Sequence, residues 1–122
     1  IDPDSEALIV TKLFTADEQP AIHCTDVVPV DLIREPYAEA ELAAPIFQFL
    51  ERRCYQIIAH VLADILPQVA DGDLSRLLDI PPGSPLLRFD EVGFNNLNKP
   101  VLFSRVYYKD QYVRFSVWRK KV

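Results

Sequence analysis

The chain opens on β-branched, apolar stretches, loses any clear period in the middle and alternates apolar with polar positions towards its end. Residues 8–14, LIVTKLF, are β-branched and apolar and predict a strand. ADEQP, 16–20, has turn chemistry, and AIHCTDVV, 21–28, predicts a second strand closed by Pro29. The short polar link makes the two a hairpin. Residues 30–42 are mixed and predict irregular structure with a helical turn. From Ala43 the period changes. Pro45 suits a first helical turn, Ile46, Phe47, Phe49 and Leu50 form an apolar face, and Glu51, Arg52 and Arg53 are polar, which predicts a short helix. Residues 54–67, CYQIIAHVLADILP, are long enough for a helix, yet Tyr55, Ile57, Ile58, Val61 and Ile65 favour a strand, and pattern alone leaves both open. Asp71 or Asp73 caps a helix over DLSRLLDI, which PPGSP stops. The remainder predicts a meander: a strand LLRFDEVGFN, a turn NLNK, a strand PVLFSRVYY, a turn KDQ and a last strand YVRFSVWRK. Strands at both ends with helices between them give the α+β class, an antiparallel sheet with packed helices.

Period two sorts the closing strands by face. Leu102, Ser104, Val106 and Tyr108 share one side, and Val101, Phe103, Arg105 and Tyr107 the other. That alternation bears on charge. The chain is acidic, with formal net charge -5, yet residues 99–122 hold seven Lys/Arg against one Asp. A tail so basic could meet phosphate. Its cations are instead the wet partners of an alternating sheet pattern, and the acidic remainder would repel DNA.

The length, 122 residues, is that of one domain able to bury a core. No apolar run is long enough to span a bilayer. A first residue of Ile1 suggests a piece of a longer protein. Cys24 and Cys54 make no disulfide framework and no zinc knuckle, and fit buried, reduced thiols of a cytoplasmic protein. His23 and Cys24, adjacent on a strand, point to opposite faces and make a poor dyad. His60 would face Asp64 only on a helix. Asp90–Glu91, Glu39 and Glu41 fit solvated positions. No phosphate loop, dinucleotide fingerprint, nucleophile elbow or metal-ligand spacing occurs, so no catalytic residue, metal or cofactor is nominated.

Taken together, LIVTKLFTADEQPAIHCTDVVP, APIFQFLERR, ADGDLSRLLDIPPGSPLLRFDEV and KPVLFSRVYYKDQYVRF resemble the UTRA domain, the effector-binding domain of HutC-subfamily GntR transcription regulators, over nearly the whole chain. The resemblance implies a chorismate-lyase-like antiparallel sheet with packed helices, and it favours a strand for 54–66. It implies a non-enzymatic domain that binds a metabolite, forms a homodimer and acts on DNA only through an N-terminal winged-helix domain, which this chain lacks together with the family's first strand and helix. It also implies where a ligand sits. Members that bind sugar phosphates use two arginines on the first of these strands, a glutamate on the second, a serine and a tyrosine opening the helix, and a glutamate and a tyrosine on the closing hairpin. Those places hold Lys12 and Phe14, Cys24, Pro45 and Phe47, and Leu102 and Tyr108, with Ser104 on the same face. One cation and one hydroxyl survive, and the acids have become Cys24 and Leu102. Such a pocket suits an apolar or aromatic body with one acidic head rather than a sugar, whose hydroxyls need many fixed partners. Chorismate-lyase-like catalysis, which needs a strongly cationic pocket, and a ligand-free dimerisation module are the alternatives.

Overall fold

The computed structural model describes residues 6–121. β1 (Ala7–Ala16) and β2 (Gln19–Pro29) form a hairpin. Its two-residue turn, Asp17–Glu18, has positive φ at both positions (50° and 65°). That is the backbone whose twist matches the flanking strands. Two short 3-10 turns, Val30–Leu32 and Glu39–Ala43, lead into α1 (Ile46–Arg53). β3 (Ile58–Val69), α2 (Gly72–Leu78), β4 (Pro85–Asn95) and β5 (Pro100–Lys109) follow. The five strands make one antiparallel sheet in the order β1-β2-β5-β4-β3. The α+β class expected from the sequence is the observed one.

Of segment 54–67, the part from Ile58 onward resolves as strand, and residues 54–57 are the irregular link before it. Tyr55 takes a left-handed conformation (φ 54°), the Gln56 N–H returns onto the Leu50 carbonyl at 3.0 Å, and the chain leaves α1 as β3. Asp71, the first of the two candidate caps, opens α2 by accepting from the Leu74 N–H at 2.9 Å. The helix ends at Leu78, with Asp79 left-handed, before the prolines are reached. The last expected strand is a correction. Asp110–Tyr112 is a 3-10 turn, and residues 113–121 pair with no strand among the described residues. Phe115 lies 5.7 Å from Phe89, ring to ring, but Trp118 is 94% exposed.

Each face of the sheet carries one helix. α1 buries Phe49 and Leu50 against Val28, Cys54 and Leu102. α2 buries Leu74 and Leu78 against Ala70 and Leu86, with Tyr107 beside them. Leu102 and Tyr107 have opposite parity on β5, so the two helices pack on opposite faces. The middle of the α1 face is left uncovered, and there the register sets side chains in rows. Val10, Asp26, Ser104 and Glu91 are successive cross-strand partners, and the next row holds Lys12, Cys24, Val106 and Phe89.

Candidate functional site

Where α1 begins, the sheet and the helix part to form a cleft of about 210 Å³. That is roughly the liquid volume of seven waters at ~30 Å³ each. Lys12, Phe14, Cys24, Phe47, Leu102 and Ser104, all nominated from sequence, line it. They come from β1, β2, α1 and β5. Pro45 and Ile46 complete the helix side, and Val61 and Gly93 the β3–β4 side. Tyr108 is on the same face, in the row of Phe14 and Ile22, but is not part of the lining, and it is tilted against Phe89 at 4.9 Å. Burial, with Glu91 and Cys24 nearby, raises its phenol pKa. A Cβ on Gly93 would meet Ile58 Cδ1 at 3.1 Å and Leu102 Cβ at 3.2 Å, so the missing side chain is what lets the cleft wall close tightly there.

Polar groups concentrate at two ends. At one, Lys12 Nζ donates to the Ala44 carbonyl at 2.6 Å, tying the edge strand to the residue before the helix cap. Pro45 stands at the cap position of α1 without a side-chain hydrogen bond, and the Gln48 N–H reaches the Pro45 carbonyl at 3.0 Å, which leaves the Ile46 and Phe47 N–H groups without a recorded partner. At the other end, Asp26 is only 4% exposed. Its Oδ1 accepts from Ser104 Oγ at 2.5 Å and from the Cys24 thiol at 3.6 Å. Burial, then the Asp26 charge, pushes the Cys24 thiol up to about 12. Glu91 makes no hydrogen bond or ion pair among the described residues, and burial followed by Asp26 raises its pKa. The expectation that Asp90–Glu91 is a solvated pair therefore needs correction. Adjacent strand residues face opposite ways, so Asp90 binds Arg105 at 2.8 Å on the far side while Glu91 lines the cleft.

Asp26 and Glu91 are the site residues that sequence reasoning missed. Parity held the signal for Asp26, since it shares a face with Cys24. His23, excluded by the same parity, lies on the far face, its ring 6.3 Å from Tyr107. That face has a broader, more open groove of about 500 Å³, lined by Thr25, Val27, Phe103 and Arg105 among others. Arg105 and Asp90 pair there, and Asp64 and Glu91 also border it. The smaller cavity is the more enclosed of the two and gathers six of the residues nominated from sequence, which makes it the better candidate. Among the described residues, no three His, Cys, Asp or Glu side chains gather where one metal ion could be held. No helix there is long and apolar enough to cross a membrane.

The fold and cleft define a small α+β domain with a half-open, amphoteric pocket on one sheet face. The UTRA domain model matches residues 1–114, and the chain belongs to that family. Among solved structures, a GntR-family transcriptional regulator from Enterococcus faecalis superposes with TM-score 0.84 at 21% identity, covering 98% of this chain and 85% of that one. The C-terminal domain of Yurk from Bacillus subtilis gives TM-score 0.83 at 20% identity, over 95% and 80%. A GntR-family regulator from Bacillus cereus gives 0.76 at 14%, over 93% and 79%. At these identities the likeness is one of fold. Curated proteins offer no match to this sequence.

Proposed function

We propose that this domain is the effector sensor of a GntR-type transcription regulator and that its effector is a small acid with an apolar body. The observation that carries the proposal is the convergence of Lys12 with the uncapped start of α1 above apolar walls. An anionic head there meets an ammonium with two of its three protons unused and helix N–H groups that favour negative charge. Phe14, Phe47 and Leu102 pack on the body, while Ser104 and Cys24 lie beneath it. Tyr108 lies in the row of Phe14, two strands away.

The same contact supplies a route to DNA. A head group that takes Lys12 competes with the Ala44 carbonyl, the tie between β1 and the segment entering α1. Loosening that tie shifts the start of α1, and a linked winged-helix domain reads the shift. We read the domain as a cytoplasmic sensor rather than an enzyme. Its only cleft thiol is held protonated by burial and then by the Asp26 charge, the reverse of an activated nucleophile. A homodimer fits the outer strand β3, where Leu62, Ile65 and Val69 are exposed on an unpaired edge. Sedimentation velocity tests it, a monomer at micromolar concentration counting against it.

A thermal-shift screen of the domain with short aliphatic and aromatic carboxylates, fatty acids and sugar phosphates tests the ligand assignment. An apolar carboxylate is expected to raise the melting temperature. Lys12→Ala should weaken that ligand by about 1.5 to 3 kcal/mol, the scale of a charged hydrogen bond. A response to sugar phosphates alone, or unchanged affinity in Lys12→Ala, refutes the assignment.

A further inference from the structure

The far end of the cleft holds more negative charge than the sheet needs. Asp26 and Glu91 both flank Ser104, one on each neighbouring strand, so their Cα atoms are two strand spacings apart, about 10 Å. Their side chains stand on one face with the serine between them. Asp26 is buried, both of its recorded hydrogen bonds fall on Oδ1, and Oδ2 has no partner among the described residues. Glu91 has none at all. The titratable and charged groups around Glu91 are Asp26 and Cys24 from β2, Lys12 from β1 and Tyr108 from β5, with Ser104 beside it. Lys12 is the single cation, and it points away to Ala44. Two carboxylates are thus held in a half-enclosed cavity with nothing positive between them, an arrangement that burial makes costly.

We infer that the effector also carries a positively charged nitrogen, bound over Ser104 between Asp26 and Glu91, so that the ligand is an amino acid or an amine-bearing acid. The inference rests on the proposed effector site and names its second polar contact. A neutral polyol could donate hydrogen bonds to the same oxygens, but it would leave both charges uncompensated. A cation cancels them with charge-assisted hydrogen bonds. The spacing favours a ligand whose carboxylate and ammonium are separated by a short apolar frame. Lys12 and Ser104 lie two strands and one row apart, so the two ends of the ligand bind different elements.

Three isosteric probes decide it: hexanoate, 6-hydroxyhexanoate and 6-aminohexanoate, titrated calorimetrically into the wild-type domain, Lys12→Ala and Glu91→Gln. The expected result is that 6-aminohexanoate binds about tenfold more tightly than hexanoate, the effect of one charged hydrogen bond. Glu91→Gln should remove that preference by weakening 6-aminohexanoate, with hexanoate bound no more weakly than by wild type, and its thermal melt, at or above wild type, shows the fold intact. The preference should also fall as pH is lowered and Glu91 takes up a proton. Equal binding of all three probes, or of the amine and the alcohol, overturns the inference. If hexanoate binding in that case still depends on Lys12, the effector site itself stands. If none of the probes binds at millimolar concentration, both fall.

Discussion

Phe47 and Leu50 lie three residues apart on α1, and truncating each should have opposite consequences. Leu50 has no solvent exposure and sits among Val28, Phe49, Cys54 and Leu102. Leu50→Ala deletes three buried carbons, about 2.4 kcal/mol at ~0.8 kcal/mol per methylene. The void left in a tightly packed cluster brings the total to about 3–4 kcal/mol. For a domain of this length that lowers the melting temperature by roughly 12 °C. Phe47 is 48% exposed and lines the cleft, so Phe47→Ala should cost about 1 kcal/mol or less. Urea unfolding of both variants, with the m-value checked for constancy, makes the comparison. Ligand affinity should respond in the other order, falling in Phe47→Ala. Equal destabilisation by the two changes would refute the reasoning, because Phe47 would then be a plug of the core rather than a wall of an open cleft.

Titration of Glu91 offers a second check. Its folded-state pKa is raised, so the stability it contributes is present at acid pH and is lost as pH rises through that raised value. Glu91→Gln should therefore raise the melting temperature at neutral pH and flatten the pH dependence just above the ordinary carboxylate range. A variant less stable than wild type at pH 7 would contradict this. Cys24, pushed up to about 12, is thiolate in only about one molecule in 10⁴ at pH 8, and the Cys54 thiol is raised by burial too. Iodoacetamide should label neither in the native domain yet both in urea, and rapid native labelling would refute the assigned protonation. Trp118, the single tryptophan, is 94% exposed, so acrylamide should quench it almost as well before unfolding as after. Strong protection would mean that the C-terminal arm is covered.

Much of the sheet was legible because β-branched and apolar residues crowd its strands, and period two then told which side chains share a face. The resemblance placed Lys12, Cys24 and Leu102 at the ligand site, period two set Ser104 beside Leu102, and one cleft holds all four. β3 stayed ambiguous for a physical reason. It is an edge strand exposed along most of its length, so no core imposes a period on Ile58–Val69. YVRFSVWRK misled for a related one. Alternation says which side chains would share a face, but not that a neighbouring strand is there to pair with. The acids of the cleft were obscured by adjacency. Asp90–Glu91 looks like one polar pair in sequence, but the pleat sends Asp90 to Arg105 and Glu91 to the opposite side. Asp26 sits between Thr25 and Val27 with no local mark of burial, and only its register opposite Ser104 reveals the contact.

The central claim is that the ligand enters the cleft at the start of α1, and amide chemical-shift mapping tests it most directly. The isotope-labelled domain would be titrated with the strongest carboxylate from the thermal screen. The account predicts the largest shifts at Lys12, Cys24, Phe47 and Ser104, with the Ala44–Ile46 segment following as Lys12 leaves its carbonyl. Shifts concentrated instead at Thr25, Phe103 and Tyr107 would place the ligand in the groove on the opposite face and contradict it.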